Sequence, residues 1–256
     1  MEKFENINIT KIDDQGGGAH DVFSGKVESE TVRKTYEESV QYFSDLIKNQ
    51  IAPGNYKIAD LGSFKGELMD NLVSKLPEYD FDVISVERDE NALRGNKSSN
   101  KKIVASLDNI PLENKSIDIA IARYVLVWNE IDKQREMIKE IGRVAKGFGI
   151  IQHSGSSEDY PEEWRKRISI LFSGKEIPKL KRENHFFSSP KEIDKMMDEE
   201  NIPYEKKQNR KINDIAMVFK EKYNLTENEY QKAKEIMGDM NYVIQSTWMI
   251  FPKKDA

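Results

Sequence analysis

The sequence contains no cysteine, and this absence excludes several kinds of chemistry. A chain without thiols forms no disulfides, binds no zinc through thiolates and ligates no iron–sulfur cluster through cysteine. Mechanisms that need a cysteine nucleophile are excluded as well. The three histidines, His20, His153 and His185, lie far apart and match no metal-binding motif, so we expect no metal site.

Long apolar runs and a strong excess of one charge are also missing. No segment approaches the roughly 18 uninterrupted apolar residues of a membrane span, and the N-terminal MEKFENINITKIDD lacks the apolar core of a signal peptide. The 40 basic and 45 acidic residues give a formal charge of -5. We therefore expect a cytoplasmic protein that interacts with no membrane and presents no basic surface for nucleic acid.

The 256 residues suffice for one large α/β domain. Residues 1–27 lack periodicity and contain three consecutive glycines, which predicts a flexible arm or lid. Residues 28–50 have apolar positions at three- and four-residue spacing, which predicts an amphipathic helix. We expect a core of alternating strands and helices at 56–153, followed by further helices and closing strands at 154–256.

Short apolar runs alternate with helical stretches through the core. The runs predict strands at 57–61, 82–86, 102–105, 117–122 and 148–153, and the stretches predict helices at 66–76, 91–95 and 132–146. Later segments predict helices at 161–172 and 189–200 and closing strands at 204–212 and 245–251, with a helix at 214–241 inserted between them. The alternation predicts a doubly wound α/β fold with a mostly parallel seven-stranded sheet and helices on both faces.

The segment after the first predicted strand contains two glycines where the chain must turn. Gly62 and Gly66 precede a predicted helix, whose N-terminus offers unpaired N–H groups to a ligand. Their spacing differs from the dinucleotide fingerprint and disfavours an NAD enzyme. Glu87 ends the second predicted strand, where a carboxylate can accept hydrogen bonds from ribose hydroxyls. The turn and Glu87 together predict an adenosine-containing ligand at the carboxyl edge of the sheet.

Four motifs in this region resemble the class I S-adenosylmethionine-dependent methyltransferases. KIADLGSFKGEL is similar to the first motif of that family, in which an acidic residue begins a glycine-rich turn. ASLDNIPLENKSIDIAIARYVLVW resembles the stretch before and through the fourth strand, and IDKQREMIKEIGRVAKGFGIIQH resembles the next helix, its turn and the fifth strand. Two positions depart from the family pattern: Phe64 replaces a glycine, and Ser106 replaces an aspartate that usually meets the adenine.

The resemblance implies S-adenosylmethionine as the cofactor and a role for each matching position. The methionine end would contact Asp60, Gly62, Ser63, Phe64 and Gly66. Glu87 would hold the ribose, Ser106 and Leu107 would meet the adenine with Arg88 beside it, and Ala122 and Arg123 would lie beneath the sulfonium. Asp108 competes with Ser106 for the adenine contact. A structural turn, with Arg88 as an exposed loop charge, is the alternative for these residues.

Candidates for the chemistry lie where the fourth and fifth predicted strands end. Tyr124 and Trp128 are expected to line an acceptor pocket, and His153 is the candidate general base. The alternatives are packing between sheet and helix for the two aromatic residues, and a backbone hydrogen bond at a strand end for His153. In the N-terminal helix, Tyr36 and Arg33 either fold over the cofactor or belong to the packing face. The helix at 214–241 either packs as core or roofs the acceptor site.

These features favour methyl transfer to a small-molecule acceptor, because the segments after the core can enclose one. An RNA or protein methyltransferase is the first alternative. Neither an Asn-Pro-Pro-Tyr type segment nor a cysteine for pyrimidine chemistry supports it. A non-catalytic module that binds S-adenosylmethionine is the second alternative, suggested by Phe64 and Ser106.

Overall fold

The structure, a computed structural model, describes residues 30–97, 99–181 and 185–253 of the chain. The predicted arm, including His20, lies outside the described residues. The helices are α1 (Glu30–Gln50), α2 (Glu67–Lys75), α3 (Glu90–Arg94), α4 (Ile131–Val144), α5 (Pro161–Phe172), α6 (Pro190–Glu199), α7 (Ile215–Tyr223) and α8 (Glu227–Met237). The strands are β1 (Asn55–Leu61), β2 (Asp80–Glu87), β3 (Lys101–Val104), β4 (Ile117–Arg123), β5 (Ala145–Gly155), β6 (Tyr204–Asn213) and β7 (Tyr242–Ile250).

These strands form one sheet in the order β3-β2-β1-β4-β5-β7-β6. The pairings among the first five strands are parallel, and β7 runs antiparallel to both β5 and β6. The predicted doubly wound, mostly parallel seven-stranded sheet is therefore confirmed. The order reverses between β1 and β4, where ligands bind beyond the carboxyl ends of the strands in sheets of this kind.

Two apolar layers cover the faces of the sheet. Alternate residues of a strand point to opposite faces, so Ile119 and Ile121 pack with α1 and α2 while Ala120 and Ala122 pack with α4 and α6. Both faces are covered, which explains why the strands read as continuous apolar runs rather than as alternating ones. A polar side chain within such a run is consequently buried.

A third apolar cluster lies beyond the carboxyl edge of the sheet. It joins α5, α7 and α8 around the buried Trp164, and it includes Val127, just after β4, and Val243, at the start of β7. Because β7 is antiparallel, its first residues lie beside the end of β5. We call this cluster the cap, since it packs over the edge where β4 and β5 end.

The prediction of one helix at 214–241 was wrong, because the segment forms α7 and α8 with a break between them. Asn224 adopts a left-handed conformation with φ of 47° and ends α7. Thr226 then caps α8, accepting a hydrogen bond from the Glu229 N–H while the Glu229 side chain accepts from the Thr226 N–H. Both signals are visible in the sequence as an asparagine and a Thr-x-x-Glu box.

Candidate functional site

The turn between β1 and α2 has three residues in the left-handed region of backbone conformation. Gly62, Phe64 and Gly66 have φ of 78°, 48° and 86°. The N–H groups of Gly62 and Ser63 both donate to the Val86 carbonyl, at 2.8 and 3.2 Å. A Cβ on Gly62 would lie 2.1 Å from Val125 Cγ1, so the close approach to the segment after β4 requires a glycine there.

The Glu87 carboxylate ties this turn to the end of β2. Its Oε2 accepts from the Phe64 N–H at 3.0 Å, and its Oε1 accepts from the N–H groups of Arg88 and Asp89 at 2.8 and 3.0 Å. The Phe64 contact compensates for the less favourable backbone of a non-glycine residue at this position. Each carboxylate oxygen can accept more than one hydrogen bond, so the half-buried Glu87 retains acceptor capacity for ribose hydroxyls.

Three polar residues lie side by side where the central strands end. Asp60 on β1, Arg123 on β4 and Gln152 on β5 share the face of the sheet that α1 and α2 cover, and Arg123 pairs with Gln152 in register. We call them the polar floor. Asp60 Oδ2, Arg123 Nε and Gln152 Oε1 are buried, and none has a hydrogen-bond partner among the described residues. The same holds for Ser63 Oγ in the turn above.

The polar floor combines a neutral carboxyl group with a cation. Burial raises the pKa of Asp60 to about 8, and the neighbouring charges of Glu87 and Glu67 add to this effect. Burial lowers the pKa of Arg123, but a guanidinium remains charged at neutral pH. Its Cζ lies 4.8 Å from the Tyr36 ring centroid and 4.2 Å from that of Tyr124, within reach of a cation–π interaction.

A ligand that carries both an ammonium and a carboxylate would satisfy these atoms. Folded proteins rarely leave buried polar atoms without partners unless water, an ion or a ligand supplies them. Arg123 Nε can donate to a carboxylate, while the oxygens of Asp60 and Gln152 can accept from an ammonium. The donor set therefore fits the amino-acid end of S-adenosylmethionine, which has both groups.

The residues predicted to meet the adenine differ in how far they are buried. Leu107 is buried, and its Cδ1 lies 3.7 Å from the position of a Cβ on Gly62. Ser106 is exposed and Asp108 is half-buried. Arg88 Nη1 donates to Asn129 Oδ1 at 3.3 Å and so bridges the end of β2 to the segment after β4. Leu107 and Arg88 thus flank the turn. Contacts of Ser106, Leu107, Asp108 and Arg88 with adenine remain predictions.

Ala122 is the predicted site residue whose side chain points away from the polar floor. It is fully buried in the layer that packs with α4 and α6. The alternation of β4 directs Arg123 to the opposite face, next to Asp60. Any contact of Ala122 with a ligand would therefore involve its backbone, and its place beneath the sulfonium stays a prediction.

His153 is fully buried and forms a hydrogen bond with the Ser188 carbonyl at 3.1 Å. A carbonyl only accepts, so Nε2 carries the hydrogen, and Nδ1 has no partner among the described residues. Burial lowers the pKa of His153 to about 4. This arrangement corresponds to the alternative of a backbone-bonded histidine at a strand end. A general-base role stays a prediction that this burial disfavours.

The two aromatic candidates after β4 have different surroundings. Tyr124, with φ of 55°, donates its N–H to the Gln152 carbonyl at 2.8 Å and so lies next to the polar floor. Trp128 packs on the cap, with its ring centroid 4.4 Å from that of His185. Trp128 therefore fits the packing alternative, whereas Tyr124 lies where an acceptor pocket was predicted.

Sequence reasoning missed two buried glutamines. Gln152 belongs to the polar floor, and Gln245 donates its Nε2–H to the Tyr124 hydroxyl oxygen. Each begins a short run of polar residues inside a strand, Gln152-His153-Ser154 in β5 and Gln245-Ser246-Thr247 in β7. Such a residue must find a partner in the fold or in a ligand, because burial of an unpaired amide is unfavourable.

An open cleft of about 640 Å³ lies at the opposite, amino edge of the sheet. Its central carboxylate already has partners, since Asp118 accepts from the Lys57 N–H at 2.9 Å and pairs with Lys146 at 3.3 Å. The buried unpartnered atoms are at the carboxyl edge, and we place the candidate site there. In the described part of the chain, no group of three His, Asp or Glu residues has the arrangement of a metal site.

Comparisons with known proteins identify a related family model. Residues 59–152 match the family model described as a methyltransferase domain, and this range runs from β1 through most of β5. No curated protein sequence is significantly similar to the chain. No helix among the described residues is long and apolar enough to cross a bilayer.

Two solved structures illustrate the likeness of the fold. The YcgJ protein from Bacillus subtilis is 13% identical, with 83% of this chain and 100% of that chain covered and a TM-score of 0.58. A geranyl diphosphate C-methyltransferase from Streptomyces coelicolor A3(2), solved with Mg2+, geranyl diphosphate and S-adenosyl-L-homocysteine, is 12% identical, with 88% and 87% covered and a TM-score of 0.58. At such identities the likeness concerns the fold.

Proposed function

We propose that this chain, whose residues 59–152 form a methyltransferase domain of the class I S-adenosylmethionine-dependent family, moves a methyl group from its cofactor to a small-molecule acceptor. The observation that carries the proposal is the polar floor. Its buried, unpartnered donor and acceptors at the topological switch point match the charged groups of a bound amino acid.

The residues of the chain would hold the cofactor in three places. Arg123 would bind the carboxylate of its methionine end, and Asp60 and Gln152 would accept from its ammonium. Glu87 would accept from the ribose hydroxyls, since its contacts with Phe64, Arg88 and Asp89 hold it at the turn. Leu107 would pack against the adenine beside Gly62.

When bound, the cofactor supplies an electrophilic methyl group on a sulfonium. The main task of the protein is then alignment and exclusion of water, and alignment alone contributes up to roughly 7 to 11 kcal/mol. The left-handed turn and the Glu87 contacts fix one side of the site, while Tyr36 of α1 and Tyr124 cover the Arg123 guanidinium. We assign no proton transfer to His153, because its burial and lowered pKa make it a weak base.

Two observations support a small acceptor. The cap packs at the carboxyl edge between the end of β4 and the start of β7, where covering side chains favour a small acceptor over a polymer. The structural neighbour from Streptomyces coelicolor is named for a small acceptor, geranyl diphosphate.

Calorimetry with S-adenosylmethionine and S-adenosylhomocysteine tests the proposal. We expect both to bind the wild type, and we expect Arg123→Gln and Glu87→Gln each to weaken binding at least about tenfold, because each removes a charged hydrogen-bond partner. Arg94→Gln is the control, since Arg94 forms an exposed pair with Glu90 and no other hydrogen bond among the described residues.

Absence of binding to both compounds would reject the proposal. Tight binding of the cofactor, combined with no transfer of a labelled methyl group to any fraction of a cell extract, would instead indicate a non-catalytic binding module.

A further inference from the structure

A chain of hydrogen bonds runs from α1 to the Tyr124 hydroxyl. Glu38 Oε2 accepts from Arg210 Nη1 at 2.9 Å. Arg210 Nε donates to Gln245 Oε1, and Gln245 Nε2 donates to the Tyr124 hydroxyl oxygen. The chain thus joins α1, β6, β7 and the end of β4. Gln245 is fully buried, so it cannot exchange these partners for water.

The direction of each bond in this chain is determined by chemistry. A guanidinium has five donors and no acceptor, so the Gln245 side chain must turn its oxygen toward Arg210. Its NH₂ group then faces Tyr124, and the phenol oxygen must accept. The hydroxyl hydrogen is left over, and no hydrogen bond from it to another described residue is present. Tyr124 is therefore held as a hydrogen-bond donor.

The surroundings of the Tyr124 hydroxyl favour a negatively charged partner. The Arg123 guanidinium carbon lies 4.2 Å from the centroid of the Tyr124 ring, and burial raises the pKa of Asp60, the carboxyl group of the polar floor, which reduces its negative charge. A hydrogen bond from a neutral donor to an ionised oxygen is stronger than one to a neutral oxygen. An ammonium has no lone pair to offer.

We propose that the methyl acceptor presents an anionic oxygen, as a carboxylate or an acidic enolate, to the Tyr124 hydroxyl. Gln245 and Arg210 then act as positioning residues that keep this hydroxyl in its donor state. The proposal deepens the proposed function and rests on it, since it concerns the acceptor side of the same site.

The charge balance of the transfer suits an anionic acceptor. A lone pair of the acceptor oxygen forms the new bond to the methyl carbon, and the electron pair of the carbon–sulfur bond remains on sulfur. The negative charge of the acceptor and the positive charge of the sulfonium disappear together, and the products are an ester or enol ether and a neutral thioether. No proton moves, which agrees with the absence of an accessible base at His153.

The substitution Gln245→Glu tests the direction of the hydrogen bond with almost no change of shape. A glutamate keeps the contact with Arg210, but its second oxygen only accepts, so the Tyr124 hydroxyl turns toward it and is lost to the acceptor. Tyr124→Phe removes the hydroxyl. Gln208→Glu is the matched control, because it adds the same charge to the neighbouring strand β6 with no contact to Tyr124.

The assay follows transfer of a tritiated methyl group from S-adenosylmethionine. The small molecules of a cell extract are separated beforehand by ion exchange into anionic, neutral and cationic pools. We expect transfer to the anionic pool, reduced at least about tenfold in Gln245→Glu and in Tyr124→Phe. Cofactor affinity by calorimetry and the unfolding midpoint should stay unchanged, and Gln208→Glu and the conservative Arg210→Lys should retain transfer.

Transfer to the neutral or cationic pool, transfer to no pool, or wild-type transfer by Gln245→Glu would each overturn the inference. These results differ from failure of the proposed function, which calorimetry detects first as absence of cofactor binding to the wild type.

Discussion

Asp60 illustrates how a residue suited to bind a ligand can lower the stability of the protein without that ligand. It is 2% exposed, and one of its oxygens lacks a partner among the described residues. Replacing such a group usually stabilises a protein while it weakens the site that the group serves. The raised pKa of Asp60 makes this trade-off dependent on pH.

We expect Asp60→Asn to be more stable than the wild type in alkaline solution. The pKa of Asp60 rises from its usual 3.8 to about 8 on folding. The folded state therefore prefers the protonated form, and this contribution to stability is fully present below about pH 3.8 and lost as the pH rises through about 8. Denaturant unfolding at pH 4 and pH 9 should show equal stabilities at the lower pH and a gain of a few kcal/mol for the variant at the higher pH.

Asp45→Asn provides the control, because Asp45 is exposed on α1 and pairs only with Gln41. Its stability should follow the wild type at both pH values. A variant Asp60→Asn that is less stable than the wild type at pH 9 would contradict the expected burial of an unpaired carboxyl group.

At the scale of residues, sequence reasoning placed together residues that end neighbouring strands. Gly62, Gly66 and Glu87 were predicted as parts of one site, and the structure brings the turn and Glu87 together because β1 and β2 are parallel neighbours whose carboxyl ends lie at the same edge. Gln152 and Gln245 were missed. Their importance arises from partners on other strands, and no spacing within the sequence reveals those contacts.

The strand-turn-helix element around Gly62 makes a prediction of its own. Gly62→Ala places a methyl group against Val125 and forces alanine into a left-handed conformation, so we expect a loss of about 2 to 5 kcal/mol in the free energy of unfolding. The turn between β1 and α2 would then be displaced.

Gly142→Ala is the matched control and should have the opposite effect. Gly142 lies within α4, and an added Cβ would meet its nearest neighbour, Ile202 Cγ2, at an ordinary 3.7 Å. Alanine is the better helix former by about 0.5 to 1 kcal/mol. Unfolding in denaturant measures both variants, and equal effects of the two substitutions would show that the Gly62 turn adapts to a side chain.

Elements were predictable where local signals agreed. The start of α6 was predicted to within one residue, at 189, and the structure shows Ser189 capping the helix by accepting from the Glu192 N–H. The break between α7 and α8 was missed, because apolar residues continue at helical spacing across it and mask the local signal at Asn224. Periodicity describes the buried face of a segment and does not show where its axis turns.

For the molecule as a whole, the charge balance opposes a polyanionic acceptor. The chain carries a net charge of -5, and nucleic-acid binding depends on lysine and arginine contacts that release counterions. We expect no binding of a fluorescently labelled RNA oligonucleotide at about 150 mM salt by anisotropy. Tight binding that weakens steeply as salt increases would support the alternative that the chain methylates RNA.

The order of the sheet also belongs to the whole molecule and was only partly predictable. Alternating strands and helices imply parallel neighbours, which predicts the arrangement of β1 to β5. The insertion of β7 between β5 and β6 and the packing of the cap depend on contacts between distant segments. The composition of each segment does not specify them.

The hydrogen-bond chain to Tyr124 has a consequence for folding during translation. Glu38 and Arg210 are 172 positions apart, and Gln245 follows Tyr124 by 121 positions. A nascent chain that has emerged through β5 already contains the turn and the polar floor, but the segments that orient Tyr124 are still to be translated. Affinity for the cofactor can thus arise before the acceptor side is assembled, and the final strand to be synthesised completes the site.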